Sequence, residues 1–370
     1  MFDAQPDSAP RILEIGSTPY LYTAFPQTTD FYSTWNDEQV SEPAQGRRIV
    51  TLATLPGLVR RLADPAYDLV AVHALPYSSW SLRSLSRTLF RRSVLRGSVP
   101  IFRPLGQQLL RGRVSAPVAV LDFDDPTVID RANTFLIDKA TVYFKRELPP
   151  DHWQVFNGTL HWRVPTPRFR EAPRNRERVA KLAPIALGIE AGAQDQRAAS
   201  GLPSEKKTID VFFAGRIHNS ATIRERGLKE LLALRAEGYA IDVPEEPISR
   251  EEYFARCERS WIVWSPAGYG WQCFRTWEAA LCGSVPLANR PTIEQHRPLV
   301  EGVHALYYDV EPDGLTHAIK TALADRARLL TMGSAARAFV LTYHTRAALA
   351  RHIVETTLQR ARAAGSHLSC

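Results

Sequence analysis

The chain has 370 residues and a net charge of +7, and 45% of its residues are hydrophobic and 23% charged. This composition excludes a disordered chain, and the length favours two domains over one. No apolar run approaches the roughly 20 residues that span a bilayer, and the first residues lack a signal-peptide pattern, so we expect a cytoplasmic protein. No CxxC pair or zinc-ligand spacing joins the four cysteines, which predicts neither a disulfide framework nor a metal finger: Cys257, Cys273, Cys282 and Cys370.

The first half of the chain alternates short apolar runs with helix-compatible stretches. The runs that predict buried strands begin near Arg11, Arg48, Tyr67, Ala116 and Ala140. Their almost continuous apolar character is typical of a parallel sheet that is covered on both faces. We therefore predict a Rossmann-like first lobe over residues 1–165.

Proline, glycine and charged residues dominate the next stretch, which predicts an inter-lobe connection over residues 166–207. A second alternation of strands and helices follows, beginning with the strand "TIDVFFAG" and a helix over about 221–237. It predicts a second Rossmann-like lobe over residues 208–345 and a C-terminal helix over 346–370. The predicted fold class is therefore α/β, with two lobes built on parallel sheets.

The stretch "SPAGYGWQCFRTWEAALCG" carries the first chemical motif. Gly268 and Gly270 allow close approach of a ligand to the backbone, and the helix that follows directs its N-terminal N–H groups towards the loop, a combination that attracts phosphate. Arg275 can pair with diphosphate oxygens, and Glu278, on the same helix face, can accept hydrogen bonds from ribose hydroxyls. The alternative is a surface ion pair beside an ordinary glycine turn. The neighbouring stripe is predicted to pack on the sheet: Phe274, Trp277 and Leu281.

A second motif, "DVFFAGRIHNSATIRERG", adds weight to the first. Gly215 follows a strand and permits a close backbone approach, while Arg216 and Arg224 add positive charge at the ligand-binding edge of a parallel sheet. The alternative is a glycine turn followed by a solvated basic helix. Together the two motifs predict a site for a nucleotide diphosphate.

These motifs, with "YYDVEPDGLTHAIKTAL" and "FVLTYHT", resemble the donor-binding lobe of GT-B-fold glycosyltransferases, and most closely the exostosin-like and spore-maturation-protein-like group. The resemblance covers about residues 208–345. It implies that Glu278 holds the ribose, that Arg216 and Arg275 hold the diphosphate of an activated sugar, and that no metal or other cofactor is needed. It also implies a C-terminal helix that crosses back to the first lobe. Many retaining members carry a glutamate eight positions before the one matched by Glu278, where this chain has Gly270.

The acceptor is expected on the first lobe, where polar side chains follow two predicted strands. Asp122 and Asp124 are the first candidates for a general base, and His73 follows them. The aspartates could instead cap a helix after Pro126, and His73 could be a structural histidine at a strand end. The Asp-x-Asp spacing would also suit a metal-dependent transferase, an interpretation we rank lower because the donor motif lies in the other lobe.

Eight arginines and no acidic residue lie between Leu69 and Leu121, from Arg83 to Arg113. Mixed with apolar residues, they could contact an anionic membrane surface at the inner face of the membrane, or they could be the solvated face of a helix on its own lobe. Nucleic acid is the weaker interpretation, since no named binding motif accompanies the segment.

The predicted function is metal-independent transfer of a sugar from a nucleotide diphosphate sugar to a hydroxyl of a glycan or lipid-linked acceptor. Two alternatives stay open: a nucleotide-sugar epimerase of the same fold, and a non-catalytic module that binds nucleotides or polyanions. The sequence leaves open the sugar, the nucleotide base, the acceptor and the stereochemical outcome.

Overall fold

The structure is a computed structural model that describes residues 9–34, 47–75, 105–157, 159–161, 164–165, 173–189, 206–217 and 222–366. Its strands are β1 (Ile12–Gly16), β2 (Thr29–Ser33), β3 (Arg47–Ile49), β4 (Leu69–His73), β5 (Val118–Asp122), β6 (Val142–Lys145), β7 (Thr159–His161), β8 (Val164–Pro165), β9 (Leu182–Pro184), β10 (Ile209–Phe212), β11 (Ile241–Asp242), β12 (Ser260–Trp264), β13 (Val285–Asn289) and β14 (Leu306–Tyr308). Its α-helices are α1 (Leu21–Ala24), α2 (Leu55–Leu62), α3 (Leu105–Gln108), α4 (Thr134–Lys139), α5 (Pro173–Ala180), α6 (Thr222–Ala236), α7 (Arg250–Glu258), α8 (Phe274–Leu281), α9 (Gly314–Leu323), α10 (Arg326–Tyr343) and α11 (Arg346–Ser366). Short 3-10 helices cover Leu109–Arg111, Arg131–Asn133 and His152–Phe156.

The first sheet, which forms the first lobe with the helices packed on it, has seven parallel strands in the order β3-β2-β1-β4-β5-β6-β9. Every residue of β1, β4 and β5 is buried, because helices cover both faces of the sheet. The chain builds outward in one direction from β1 to β3 and in the other from β4. The carboxyl ends of β1 and β4 therefore form a topological switch point, where open parallel sheets bind ligands.

The second sheet, the centre of the second lobe, has five parallel strands in the order β11-β10-β12-β13-β14. Here the order reverses between β10 and β12. Both predicted donor motifs begin at the carboxyl ends of these two strands, so they face the switch point of the second sheet.

The predicted α/β class with two Rossmann-like parallel sheets is confirmed. The sequence prediction missed β2 and β9, whose short apolar runs are hidden among polar residues. Because β9 pairs with β6, the first sheet extends into the stretch that we predicted as the inter-lobe connection, 166–207, and α5 lies there too. The domain boundaries themselves stay a prediction.

The C-terminal helix α11 packs on α1 and on strands β4, β5 and β6 of the first sheet. At its start the Arg346 guanidinium lies 3.9 Å from the ring centroid of Tyr20. Helix α10, just before it, packs on α8 of the second lobe. The two last helices therefore connect the lobes. Across the described ranges, no helix combines the length and apolar character needed to cross a membrane.

Three histidines cluster where α10 passes into α11. The rings of His296 and His352 stack with centroids 3.9 Å apart, and His344 stacks on Trp277 at 4.1 Å. Burial lowers the pKa of His296 to about 3 and the pKa values of His344 and His352 to about 4. His344 Nε2 donates to the Arg297 carbonyl, while its Nδ1 has no partner among the described residues. Protonation would therefore bury charge that the surroundings do not compensate.

Acid is expected to destabilise the fold through this cluster. The folded-state pKa of each histidine lies below the unfolded value of about 6.5, so the unfolded chain takes up the proton first and stability is lost as the pH falls from about 6.5 towards 4. At about pH 5 the loss is on the order of 1 to 2 kcal/mol for each histidine. Denaturant unfolding at about pH 7.5 and 5 should show a smaller loss in His352→Gln than in the wild type.

The matched control is His317→Gln, which changes an exposed histidine on α9 outside the cluster. It should lose as much stability on acidification as the wild type does. An equal loss in His352→Gln and the wild type would contradict the assignment of acid sensitivity to the cluster.

Candidate functional site

The turn after β10 is built over the side chain of Arg275. Arg275 Nε donates to the Ala214 carbonyl at 3.0 Å, and the guanidinium carbon lies 4.9 Å from the ring centroid of Phe213. A side-chain carbon at Gly215 would collide with the Arg275 guanidinium. Gly215 is therefore required by the close approach of this cation to the backbone.

Arg275 is buried, with 8% of its surface exposed, so the alternative of a surface ion pair is wrong. Burial by itself lowers the pKa of Arg275, but the neighbouring Cys273, then Tyr253 and Glu278, outweigh burial and raise the pKa. The helix thus holds a permanent positive charge directly under the turn at Gly215.

Arg224 joins the turn after β10 to the glycine loop, which we define as residues 266–272 between β12 and α8. Its Nη1 donates to the Arg216 carbonyl at 2.9 Å and its Nε to the Ala267 carbonyl at 3.2 Å. A side-chain carbon at Gly268 would lie 2.7 Å from Arg224 Nη2. Burial, followed by the charge of Arg275, lowers the pKa of Arg224. Arg224 therefore holds the turn after β10 and the glycine loop at a fixed distance from each other.

The predicted donor residues of the second lobe thus come together at one switch point. Arg216 is exposed at the turn, Arg275 lies beneath it, and Arg224 bridges to the loop. Asn289 was not predicted from the sequence; its Oδ1 accepts from the Ala267 N–H at 2.8 Å and so holds the start of the loop. Converging cations, backbone N–H groups and a helix N-terminus are suited to bind a diphosphate.

On the first lobe, His73 ends β4 and is fixed by a carboxylate that the sequence prediction missed. His73 Nε2 lies 3.2 Å from Glu14 Oε1. Glu14 is fully buried and accepts the backbone N–H groups of Tyr20, Leu21 and Tyr22 at 2.7–3.0 Å. A carboxylate with this set of donors makes His73 Nε2 a donor too, which leaves Nδ1 as the ring nitrogen that can accept a proton.

A cavity of about 320 Å³ opens beside His73, between the two lobes. Both lobes line it: Ser17, Thr18, Tyr20, His73, Ala74, Leu121, Phe123, Asp124, Leu187, Phe274 and Arg346. Phe274 is 38% exposed, so the prediction that it packs on the sheet with Trp277 and Leu281 is wrong for this residue. As the first residue of α8 it faces the cleft, whereas Trp277 and Leu281 are buried as predicted.

Asp122 is buried and does not line this cavity. Its carboxylate accepts from Tyr143 Oη at 2.7 Å, from Lys145 Nζ at 3.1 Å and from the Asp124 N–H at 3.1 Å. Burial, followed by the charge of Asp122, raises the pKa of Tyr143 well above its ordinary value. This hydrogen bonding fits a structural role for Asp122 at the end of β5 better than proton transfer.

Asp124 lies on the cavity wall, two residues beyond β5. The alternative that the aspartates cap a helix after Pro126 is wrong, because the next helical segment begins at Arg131 and Asp130 caps it by accepting the Ala132 N–H. Of the three predicted base candidates, His73 and Asp124 therefore share the cavity and Asp122 does not.

The glycine loop also touches the first lobe, through contacts that the sequence did not predict. The carboxylate of Glu147 accepts the N–H groups of Trp271 and Gln272, at 2.8 and 3.1 Å. Glu147 follows β6 in the stretch "YFKRELP", whose charged residues the sequence allows either to line the cleft or to form an ion pair where the lobes pack. Its bonds to the glycine loop are visible only in the tertiary structure.

Two further predictions have limited structural coverage. Most of the arginine-rich segment, from Arg83 to Arg103, lies outside the described residues, while Arg111 stacks on Phe135 of its own lobe at 4.0 Å. Within the described ranges, no group of three or more His, Cys, Asp or Glu side chains is placed to hold a metal ion.

Comparison with known proteins finds a family that is similar to part of the chain. Residues 228–355 match the family described as glycosyl transferase-like. No curated protein sequence matches the chain.

Several solved structures share the fold over almost the whole chain. An α-glucosyltransferase solved with UDP and a mismatched 13-mer DNA has 12% identity, covers 95% of this chain and 100% of its own, and gives a TM-score of 0.55. The α,α-trehalose-phosphate synthase (UDP-forming) from Burkholderia vietnamiensis has 11% identity, coverage of 97% and 99%, and a TM-score of 0.54. Sucrose-phosphate synthase from Thermosynechococcus elongatus has 13% identity, coverage of 95% and 100%, and a TM-score of 0.51. At these identities the structures show a common fold, and the exostosin-like subgroup stays a prediction.

Proposed function

We propose that the chain is a glycosyltransferase that transfers a sugar from a nucleotide diphosphate sugar to a hydroxyl acceptor, since residues 228–355 match a glycosyl transferase-like family and an α-glucosyltransferase shares the fold. The donor binds at the switch point of the second sheet, and the acceptor binds in the cavity beside His73. One observation carries the proposal: the cationic turn and glycine loop meet at the N-terminus of α8, and Phe274, the first residue of α8, lines the same cavity as the carboxylate-oriented imidazole of the first lobe.

The donor site is proposed to hold the diphosphate between the Gly215 turn and the N-terminus of α8. Negative charge grows on the departing diphosphate while the sugar becomes oxocarbenium-like. Arg275, buried under the turn, and Arg216, exposed at the turn, would meet that charge from opposite sides. Glu278, on the same helix as Arg275, is proposed to accept hydrogen bonds from the ribose hydroxyls.

The reacting hydroxyl is proposed to lie against His73. With Nε2 directed to Glu14, the other ring nitrogen can accept or hold the proton of the hydroxyl. Asp124 lies on the same cavity wall and ranks second. Phe123 and Phe274 provide apolar surface, on which the C–H face of a sugar ring can pack.

We further propose that transfer needs no metal ion. The positive charge required by the leaving diphosphate is supplied by the two arginines and by the helix N-terminus. Addition of a chelator to the transfer assay should leave the rate of transfer unchanged. Loss of transfer in the presence of the chelator would overturn this part of the proposal.

Thermal-shift measurements with the diphosphates of uridine, guanosine and thymidine, and with their sugars, test the donor site. We expect one nucleotide to stabilise the protein, and Glu278→Ala to remove most of that stabilisation. The corresponding 2′,3′-dideoxy nucleotide lacks the ribose hydroxyls, so it should stabilise the wild type and Glu278→Ala equally. If no nucleotide raises the melting temperature of the wild type, the donor assignment is wrong.

Product analysis separates the candidate functions. Release of nucleotide diphosphate that depends on an added acceptor supports transfer. An isomerised donor without acceptor supports an epimerase, and tight binding without either product supports a non-catalytic module.

A further inference from the structure

The glycine loop of the second lobe is hydrogen-bonded to a carboxylate of the first. Glu147 Oε2 accepts the Trp271 N–H at 2.8 Å, and Oε1 accepts the Gln272 N–H at 3.1 Å. Glu147 is fully buried at 0% exposure. The contact therefore fixes the backbone of the loop immediately before α8, where the proposed diphosphate site lies.

The side chain of Gln272 extends the same junction in the opposite direction. Its Nε2 donates to the carbonyls of Arg146 and Ile185, at 2.7 and 3.0 Å, and its Oε1 accepts the Leu187 N–H at 3.0 Å. All three partners belong to the segments that follow β6 and β9. Backbone and side chain at one loop position are thus both bound by the first lobe.

The contact between Glu147 and the glycine loop requires a residue without a side chain at position 270. A side-chain carbon there would lie 2.7 Å from Glu147 Oε1, 2.9 Å from Glu147 Cδ and 2.7 Å from Arg146 Nη2. These separations are shorter than any real carbon contact, so a larger residue would push Glu147 away from the loop. The place of a loop side chain is taken by a carboxylate of the other lobe.

The electrostatics favour a defined role for Glu147. Burial raises the pKa of its carboxyl, while Arg146 and the two loop N–H groups act against burial. Arg146 Nε lies 3.0 Å from Glu147 Oε1, and Arg146 also pairs with Asp125. A buried carboxylate of this kind stays charged at low cost only while its partners are in place, because removing one partner leaves an uncompensated buried charge.

We propose that Glu147 is a positioning residue of the donor site, which holds the glycine loop in its ligand-binding conformation before the nucleotide arrives. The inference rests on the proposed function, since it concerns the same diphosphate site. A loop that is already ordered loses little conformational freedom on binding, whereas a released loop must be ordered by the ligand. Glu147 therefore acts through the loop and has no contact with the reacting atoms.

Binding of uridine diphosphate, or of whichever nucleotide of the panel stabilises the protein, tests the proposal by calorimetry. Glu147→Ala should weaken binding about 10-fold or more, because two loop N–H groups lose their acceptor. Glu147→Gln, which keeps one amide oxygen as an acceptor, should recover part of the affinity. The loss should appear in the KM for the donor and leave kcat nearly unchanged, as expected for a residue that positions the ground state.

Glu294→Ala is the matched control. Glu294 also joins the lobes, through His152 at 2.6 Å, but it has no contact with the glycine loop. Its replacement should lower stability without changing nucleotide affinity. Equal nucleotide affinities in Glu147→Ala and the wild type would overturn the proposal.

A double-mutant cycle with Gly270→Ala gives a second test. The added methyl group should weaken binding in the wild type, where it displaces Glu147, and should have a smaller effect in the Glu147→Ala background, where only the contact with Arg146 remains. Effects that multiply independently would mean that Gly270 and Glu147 do not act together, and would overturn the proposal.

Hydrogen exchange of the ligand-free protein separates a failure of this proposal from a failure of the proposed function. The Trp271 and Gln272 amides should exchange faster in Glu147→Ala than in the wild type or Glu294→Ala. Unchanged protection overturns the role of Glu147 whether or not nucleotides bind. If these amides exchange faster in Glu147→Ala but the wild type binds no nucleotide, the donor assignment is wrong and the loop contact is established.

Discussion

His73→Ala should lower the rate of sugar transfer by about 10²-fold to 10⁴-fold while the affinity for the nucleotide diphosphate stays unchanged. The imidazole lies on the wall of the inter-lobe cavity, and Glu14 fixes its orientation from the buried side. The variant would keep its donor site but lose the imidazole that is proposed to take the proton from the acceptor hydroxyl. Acceptor-dependent release of nucleotide diphosphate gives the rate, and calorimetry gives the affinity.

A glycine substitution tests the same residue without removing it. A side-chain carbon at Gly16 would collide with the His73 ring, so Gly16→Ala should displace the imidazole and lower the transfer rate in the same direction. Gly57→Ala is the control, since its added carbon would approach no atom closer than Tyr32 Oη at 3.8 Å. Normal turnover in His73→Ala would leave Asp124 as the next candidate for the base.

The sequence predicted the fold well because buried parallel strands leave a strong signal. Runs such as "YDLVAVHA" and "WIVWSP" are apolar on both faces, and the glycine loop that follows the second run indicates the carboxyl end where a ligand binds. Strands β2 and β9 gave no such signal, since "TDFYS" and "LAP" are short and polar or flanked by charge. Pairing with neighbouring strands determines these two.

The site was predicted as a set of residue types and less well as a set of roles. Periodicity placed Arg275 on a helix face next to the glycine loop, but it did not show that the chain buries the side chain beneath Gly215, where the turn provides a carbonyl partner. Asp122 looked like a base at a strand end until its partners on β6 were known. Glu14 was missed, and so was the contact of Glu147 with the glycine loop, since each carboxylate acts on residues that are distant in sequence or in the other lobe.

The missing carboxylate at Gly270 is explained by the same tertiary contact. Gly270 stands where many retaining members of the group that the sequence resembles carry a glutamate. In the fold, Glu147 of the first lobe fills the space that a side chain at this position would need. A larger residue at position 270 would therefore require Glu147 and Arg146 to move.

Arg275→Ala should weaken binding of uridine diphosphate, or of the stabilising nucleotide, by about 100-fold, corresponding to about 3 kcal/mol for one preorganised donor. The guanidinium lies under the turn that is proposed to receive the diphosphate, and its Nε bond to Ala214 fixes that turn. Arg275→Lys keeps the charge but lacks the planar fork, so it should bind with intermediate affinity. Calorimetry with purified variants gives these affinities directly.

The nucleoside alone provides the decisive comparison for this variant. Uridine lacks the phosphates, so Arg275→Ala should bind it as the wild type does if the arginine acts on the diphosphate. Arg226→Ala, which removes an exposed arginine from α6, should bind uridine diphosphate with normal affinity. Because Arg275 is buried, its replacement will also lower the melting temperature. If the variant loses affinity for uridine and for its diphosphate equally, Arg275 maintains the shape of the lobe and does not bind the phosphates.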